Sequence, residues 1–154
     1  MDLRVHEALP IICKAGGVTV ALMVWNEKLS VNIKAIDRQH QKIVGIINEL
    51  HDAMKERRGR DVMAGLLVEL VDYSGYHFDT EEDFFRQYKY PGLLVHKSEH
   101  DLFKSRVEHM RSQFNGGNKL IVVEAMDFLK DWLSDHILVT DHKYSPFLNG
   151  KGVY

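Results

Sequence analysis

Five of the nine histidines and two carboxylates recur along the chain at intervals that would suit a metal site. Glu81 lies four positions after His77, and His100 lies four positions after His96. Residues four apart lie about one turn apart on nearly the same face of an α-helix, so each pair can point at a single centre. Imidazole and carboxylate ligands suit iron, zinc, manganese or copper. The candidate ligands are His40, His77, Glu81, His96, His100, His136 and Asp141.

The number of these side chains indicates more than one ion. A buried polar group without a partner costs about 1–3 kcal/mol, and a charge costs more, so this set on core faces calls for cations. Seven ligands exceed what one ion accepts, whereas two ions bridged by the carboxylates use all of them, and an odd number of histidines makes the two ions unequal. His136 and Asp141 are five residues apart and reach one centre only if the helix loosens or ends there.

The histidines occupy core positions in four apolar stripes that have the period of an α-helix. In each stripe a histidine stands where an aliphatic side chain would otherwise continue the pattern. The stripes run from Ile36 to Met54, from Met63 to Tyr88, from His96 to Phe114 and from Val122 to His136.

Turn and cap residues separate these stripes. Pro91 ends the second stripe and opens the third, Gly116 and Gly117 close the third, Asn118 caps the fourth, and Pro146 sets its limit. The short connections force neighbouring helices to run antiparallel, which predicts an all-α, up-down-up-down four-helix bundle. In such a bundle the histidines near the starts of helices one and three and the ends of helices two and four meet at one height.

The chain before the first stripe shows a different pattern. Val24–Ile33 alternates apolar and polar residues weakly and has no partner strand, which predicts an N-terminal extended arm lying over the bundle. Residues 1–22 are interpreted as an extension of unsettled order, and residues 23–154 as one metal-binding domain. The apolar stretch Ala8–Trp25 is broken by Lys14 and two glycines and lacks a basic lead, so we expect neither a membrane span nor a secretory signal.

The composition is that of an ordinary globular domain. Charged residues make up 27% and hydrophobic residues 45% of the 154 residues, which excludes a disordered or fibrous class. The formal net charge of −2 provides no electrostatic footprint for nucleic acid. Cys13 has no cysteine partner in the chain, so neither an internal disulfide nor a paired-cysteine zinc site can form. We therefore expect a cytoplasmic protein without nucleic-acid partners.

The ligand pattern resembles that of the hemerythrin family, in which a lone histidine is followed by HxxxE, HxxxH and HxxxxD on successive helices. Here the pattern begins at His40, and the three motifs begin at His77, His96 and His136. The resemblance extends over roughly residues 24–148 and includes the Trp25-Asn-Glu segment. It implies two iron ions per chain with a bridging oxo or hydroxo group, and reversible binding of dioxygen.

The resemblance also implies how the ligands are divided. One iron would take three histidines and the other two, while both carboxylates would bridge. The first iron is then saturated, and the second keeps one position open for dioxygen. In this division His96, His100 and His136 hold the first iron, His40 and His77 hold the second, and Glu81 and Asp141 bridge them.

Reversible binding needs a pocket from which water and general acids are excluded. Five apolar or aromatic residues lie one to four positions from a ligand and are predicted to line that pocket: Ile43, Phe78, Phe103, Trp132 and Ile137. Ordinary core packing would explain the same side chains. Trp25 and Tyr144 also match family positions, and we assign them a structural role only.

The predicted function is oxygen storage, transport or delivery rather than enzymatic catalysis, with an oxygen-consuming enzyme or a signalling protein as the expected partner. An oxygen or redox sensor acting through a separate partner, and a di-iron oxidase, are the alternatives. Ferritin-like oxidases carry Glu-x-x-His motifs, which do not occur in this sequence.

A zinc peptidase is a third alternative, because His96 to His100 also spells HxxEH, with Glu99 as the general base. Such a site needs three protein ligands and would leave the remaining candidate ligands unexplained. Glu99 is also expected to face away from the side of the helix that carries the two histidines.

Overall fold

The computed structural model describes residues 11–14, 17–58, 60–118 and 120–154. These residues form two strands, a short 3-10 turn at Glu27–Leu29, a set of α-helices and one π-helical segment. The strands are β1 (Ile11–Lys14) and β2 (Gly17–Val20), and the helices are α1 (Lys34–Lys55), α2 (Arg60–Tyr88), α3 (Leu93–Asn115), α4 (Ile121–Asp135), the π-helical segment (His136–Asp141) and α5 (His142–Asn149).

Helices α1 to α4 pack side by side as a four-helix bundle. Helix α1 contacts α2 and α4, and α3 contacts the same two helices, which is the cyclic order of an up-down-up-down arrangement. Connections of only a few residues reverse the chain direction between neighbours. The bundle predicted from the four apolar stripes is therefore confirmed.

The two strands precede the bundle and were not part of the sequence prediction. They pair antiparallel, with Ile11 opposite Val20 and Lys14 opposite Gly17. Strands of four residues are too short to give a clear alternation of apolar and polar side chains, which explains why the pattern did not reveal them. Residues 1–10, 15 and 16 of the predicted extension lie outside the described residues, and the division at residue 22 stays a prediction.

The predicted arm lies over the bundle, with a 3-10 turn that the sequence pattern did not indicate. Leu29, Val31 and Ile33 alternate into the core. Asn48 of α1 holds the start of the arm from both sides, because its Oδ1 accepts from Met23 N at 2.9 Å and its Nδ2 donates to Met23 O at 2.8 Å. The arm is thus fixed to α1 by hydrogen bonds as well as by apolar packing.

Two apolar clusters lie on either side of the candidate ligands along the bundle axis. The inner cluster fills the bundle between all four helices and begins beside the ligands at Ile43, Phe78, Phe103 and Ile137. The end cluster closes the bundle beyond the ligands, and its buried members are Val31, Ile33, Ile36, Phe85, Tyr144 and Leu148. The polar side chains therefore lie in a thin layer between two dry regions.

The helix ends follow the predicted turn chemistry, with two exceptions. Helix α2 stops at Tyr88 before Pro91, and α3 is followed by Gly117 at φ 98°, a left-handed conformation that glycine adopts readily. Asn118 Oδ1 accepts from Leu120 N at 3.2 Å before α4, but the N-cap of α4 is Leu120, so the cap predicted at Asn118 is wrong. The limit predicted at Pro146 is wrong, because α5 continues through this residue. The proline lacks a backbone donor just after the π-helical segment, where regular α-helical bonding is already interrupted.

The described helices include none that is both long and apolar enough to span a membrane.

Replacing Asn48 by alanine should weaken the docking of the arm. Both polar backbone groups of Met23 lose their partners, and we expect the free energy of unfolding to fall by about 1–3 kcal/mol, as measured by denaturant titration. Asn115→Ala is the matched control, because that exposed residue ends α3 and should change stability by less than about 0.5 kcal/mol. Equal effects of the two substitutions would show that the clamp contributes nothing.

Candidate metal centre

All seven predicted ligand side chains come together in one buried layer of the bundle. None of them is more than 3% exposed. Helix α1 brings one of them, α2 and α3 bring two each, and the π-helical segment brings two. They are His40; His77 and Glu81; His96 and His100; and His136 and Asp141.

The ligand atoms form two groups, each compact enough to surround an ion. In both groups every ligand atom lies within 4.8 Å of the others. Glu81 belongs to both groups, so the two potential ion sites are adjacent. One group consists of Glu81, His96, His100 and His136, and the other of His40, His77, Glu81 and Asp141.

The two carboxylates divide their oxygens between the two histidine sets. Glu81 Oε2 lies 3.0 Å from His100 Nε2 and 3.3 Å from His96 Nε2, while its Oε1 lies 3.7 Å from His77 Nε2. Asp141 Oδ1 lies 3.1 Å from His136 Nε2, and its Oδ2 lies 3.2 Å from His40 Nε2. Each carboxylate therefore directs one oxygen at the set His96, His100 and His136 and the other at the set His40 and His77, as a bridging ligand would.

The π-helical segment explains how His136 and Asp141 reach the same centre. Its hydrogen bonds join residues five apart, so the turn is wider than that of an α-helix and brings positions i and i+5 onto one face. The five-residue spacing predicted a loosened or terminated helix at this point, and the structure shows the loosened form. The segment then returns to α-helical geometry at His142.

The outward nitrogens of three histidines are held by side chains that the sequence analysis did not predict as their partners. His77 Nδ1 lies 2.9 Å from Gln39 Oε1, His100 Nδ1 lies 3.2 Å from Glu82 Oε1, and His136 Nδ1 lies 3.1 Å from Glu99 Oε2. An acceptor at Nδ1 keeps the proton there and leaves the Nε2 lone pair free to face the centre.

The hydroxyl of Tyr144 donates to Glu81 Oε1 from the end cluster. This side chain is fully buried, and burial together with the nearby carboxylates raises its pKa well above the ordinary value. Tyr144 therefore stays a donor to the carboxylate. The structural role predicted for it is too narrow, since it also orients a candidate ligand.

A sequence signal for these contacts does exist. Gln39, Glu82 and Glu99 are each the immediate chain neighbour of a candidate ligand, and each is a polar residue. Which of them turns toward the bundle interior depends on helix rotation and on the approach of the next helix, and neither quantity can be read from spacing.

Burial and charge shift the pKa values within the site in opposite directions. Burial lowers the pKa of His77 to about 3. Burial also opposes the charged form of His96, but the nearby carboxylates of Asp141 and Glu81 outweigh it and raise this pKa to about 9. Burial would raise the pKa of Asp141, yet His136 and the other imidazoles hold it well below its ordinary value. The carboxylates are thus kept in the ionised form that binds cations.

The unpaired atoms of the site fit a bound cation. Buried His100 Nε2, His136 Nε2 and both oxygens of Asp141 have no hydrogen-bond partner among the described residues. His40 Nε2 and His77 Nε2 lie 3.1 Å apart, and at most one of two neutral rings can donate to the other. Lone pairs directed at one another in a dry layer are costly, and metal ions would satisfy them.

Aromatic rings pack directly on the histidine rings. Phe78 stacks on His100 with a centroid distance of 3.9 Å, and Trp132 stacks on His136 at 4.2 Å. Phe78 also meets Phe103 edge to face at 5.5 Å. Ile43 and Ile137 are buried in the same inner cluster, so the five predicted lining residues share one apolar region. Their contact with dioxygen stays a prediction.

Glu99 lies between α3 and the π-helical segment. Its Oε2 accepts from the hydroxyl of Thr140 at 2.9 Å and contacts His136. A general base of the HxxEH type would have to face the histidines of its own motif, and Glu99 is instead tied to the neighbouring segment. The geometry therefore gives the peptidase alternative no support.

The fold and the site together define a four-helix bundle with a paired histidine–carboxylate metal centre. Residues 31–148 match the family model described as "Hemerythrin HHE cation binding domain". Bacteriohemerythrin of Stenotrophomonas maltophilia is 35% identical over 82% of this chain and 81% of its own length. Bacteriohemerythrin of Methylococcus capsulatus is 30% identical over 84% and 99%, respectively. The chain belongs to the hemerythrin family.

A solved structure shows the same fold. The crystal structure of wild-type hemerythrin has a TM-score of 0.76 and 31% sequence identity, and the match covers 82% of this chain and 97% of that one. Myohemerythrin of Sipunculus nudus is 29% identical over 79% of this chain and 89% of its own length.

Replacing Tyr144 by phenylalanine should destabilise the metal-free protein. The change removes the donor to Glu81 and leaves a buried carboxylate oxygen with one partner fewer, so we expect a loss of about 1–3 kcal/mol in the free energy of unfolding. Tyr76→Phe is the matched control, because its side chain is 58% exposed on α2. A loss no larger than that of the control would remove Tyr144 from the set of residues that hold the site together.

Proposed function

We propose that this protein binds dioxygen reversibly at a non-haem di-iron centre and serves oxygen storage, transport or delivery. The observation that carries the proposal is the division of the Glu81 and Asp141 oxygens between a set of three histidines and a set of two. Membership of the hemerythrin family supports it. A cytoplasmic location, and an oxygen-consuming enzyme or a signalling protein as partner, are parts of the same proposal.

The residues present fit the metal centre that the family implies. His96, His100 and His136 would hold one iron, His40 and His77 would hold the other, and the two carboxylates would bridge them. When bound, the irons and their bridging oxo or hydroxo group supply the electrons and the coordination position that dioxygen requires. Because one set has a histidine fewer, the ligand count leaves the open position on the side of His40 and His77.

The protein's own contribution is to orient the ligands and to keep water away from them. Gln39 and Tyr144 hold His77 and Glu81 in their observed orientations. The inner and end clusters cover the ligand layer on both sides, so a proton donor from solvent has no route along the bundle axis. A dry pocket favours release of dioxygen over its further reduction. We assign the pocket lining to Ile43, Phe78, Phe103, Trp132 and Ile137.

The test is anaerobic reconstitution with ferrous iron, followed by oxygen addition and argon purging. We expect two irons per chain and a visible absorption that appears with oxygen and fades on purging. His77→Ala removes one of two histidines from the open side, so we expect it to lower the iron content toward one per chain and to abolish the reversible absorption.

His109→Ala is the control, because this exposed histidine of α3 points away from the ligand layer and should leave both quantities unchanged. Full iron content and normal oxygen binding in His77→Ala would refute the ligand assignment. A wild-type spectrum that passes at once to a permanent oxidised form would favour an oxidase or a redox sensor over a carrier.

Ile137→Val should alter the retention of oxygen more than the stability of the fold. Ile137 is fully buried and follows the ligand His136, so a shorter side chain opens space beside the centre. We expect faster autoxidation and faster oxygen release, with a stability loss of about 0.5–1.5 kcal/mol. Ile47→Val makes the same change in the inner cluster about 10 Å further along α1 from His40. If both variants autoxidise at the same rate, Ile137 has no special place in the pocket.

A further inference from the structure

The two histidine sets differ in what holds their outward nitrogens. In the three-histidine set, carboxylates hold His100 and His136. In the two-histidine set, a neutral amide holds His77, and His40 Nδ1 has no hydrogen-bond partner among the described residues. We propose that this difference in charge makes the ion of the three-histidine set the more firmly held and the more easily oxidised, and that Glu99 is the positioning residue responsible for most of it. The inference rests on the proposed di-iron function.

The neutral contact on the two-histidine side is fixed by a chain of hydrogen bonds. Gln39 Nε2 donates to Thr80 Oγ1 at 3.2 Å, and the Thr80 hydroxyl donates to Tyr76 O at 2.9 Å. Since the amide nitrogen is occupied by Thr80, the amide oxygen must be the atom that faces His77. His77 Nδ1 therefore donates to an uncharged acceptor.

The two carboxylates on the other side are not equivalent. Glu82 Oε2 lies 3.0 Å from Arg86 Nη2 and 3.7 Å from Lys97 Nζ, so two cations offset much of its charge. Glu99 has the Thr140 hydroxyl and His136 as its partners, and within the described residues no lysine or arginine lies within ion-pair distance of it. Glu99 is therefore the carboxylate whose charge is directed at a histidine without compensation.

Glu99 also has a defined position beside a rigid ring. It lines a surface cavity of about 410 Å³ together with Trp132 and His136. The indole ring stacks on His136 with an angle of 14° between their planes, which keeps Nδ1 directed at the carboxylate. The Glu99 side chain is 36% exposed, so solvent weakens its field but leaves the short contact to His136 in place.

The charge acts through the imidazole. An anionic acceptor at Nδ1 draws the ring proton toward itself and raises the basicity of Nε2, which strengthens the bond to a cation and favours its higher oxidation state. Oxidation of each iron from the ferrous to the ferric state releases one electron. The iron held by His136 should therefore give up its electron at the lower potential of the two.

Glu99→Gln tests the inference because it removes the charge and keeps an oxygen that can accept from His136 and Thr140. In a potentiometric titration with dye mediators, which take up the electrons, we expect the lower of the two one-electron potentials to rise by about 59 mV for a tenfold change in equilibrium constant, and the gap between the steps to narrow. Release of ferrous iron to a chelator should have a fast and a slow phase. In the variant the slow phase should be about tenfold faster than in the wild type, and the fast phase should be unchanged.

Glu108→Gln is the matched control, since it makes the same change on α3 at an exposed carboxylate that is paired with Arg111. Glu99→Ala removes the acceptor as well as the charge and should narrow the gap between the two one-electron potentials further. Gln39→Glu makes the reciprocal change, because a carboxylate beside His77 should lower the higher potential and slow the fast phase of iron release.

A Glu99→Gln protein with two irons and an unaltered gap would overturn the inference, as would equal shifts in both potentials. Wild-type protein that takes up fewer than two irons, or that never shows the reversible absorption, would instead defeat the proposed function. The iron count and spectrum of the wild type therefore separate the two failures.

Discussion

The structure depends on the burial of seven ionisable side chains in one layer between two apolar clusters. Each isolated charge in such a place would cost several kcal/mol, and each unpaired polar atom about 1–3 kcal/mol. This cost is limited only because the ligand side chains contact one another, with the carboxylates between the imidazoles. The same arrangement that limits the cost leaves several lone pairs without a hydrogen-bond partner among the described residues, which a cation would satisfy. Bound metal ions would thus offset the cost of burying this polar layer.

The two ligand sets differ in their number of histidines, and the helices contribute to them unequally. Helix α1 contributes one histidine, His40, and the residue one turn earlier, Ile36, belongs to the end cluster. Helix α3 enters the layer from the same end and has room for both His96 and His100. The π-helical segment then adds His136 and Asp141 from a single wide turn. Three histidines therefore lie on one side of the layer and two on the other.

Much of this arrangement could be predicted from the sequence. Spacings of four residues identify faces of helices, so the pairs His77/Glu81 and His96/His100 and the bundle itself follow from periodicity alone. The sequence required a break in regular helix geometry at His136, because residues five apart do not lie on the same face of an α-helix. It did not show that this break would be a π-helical segment. The paired strands before the arm gave too short a pattern to be recognised.

The outer contacts could not be predicted, for a physical reason. Glu82 and Glu99 are acidic residues that each follow or precede a candidate ligand on a helix, and a solvated side chain is the usual outcome for an acidic residue. Their role appears only when a neighbouring helix supplies the imidazole: Glu82 of α2 meets His100 of α3, and Glu99 of α3 meets His136 beyond α4. Such contacts depend on the distance and rotation between helices, which a single sequence does not encode in its spacing.

The outer contacts of the two histidine sets differ in their exposure to solvent. Glu99, the outer contact with the greatest exposure, lies on the three-histidine side. On the two-histidine side Gln39 is buried, and the ring of Trp25 lies 6.3 Å from that of His40. On the proposed function, the saturated iron therefore carries the charge that favours oxidation, and the iron with the open position lies where protons are scarce. The charge beside His136 can then be adjusted at Glu99 without a change in Gln39 or Trp25, which lie beside the other histidine set.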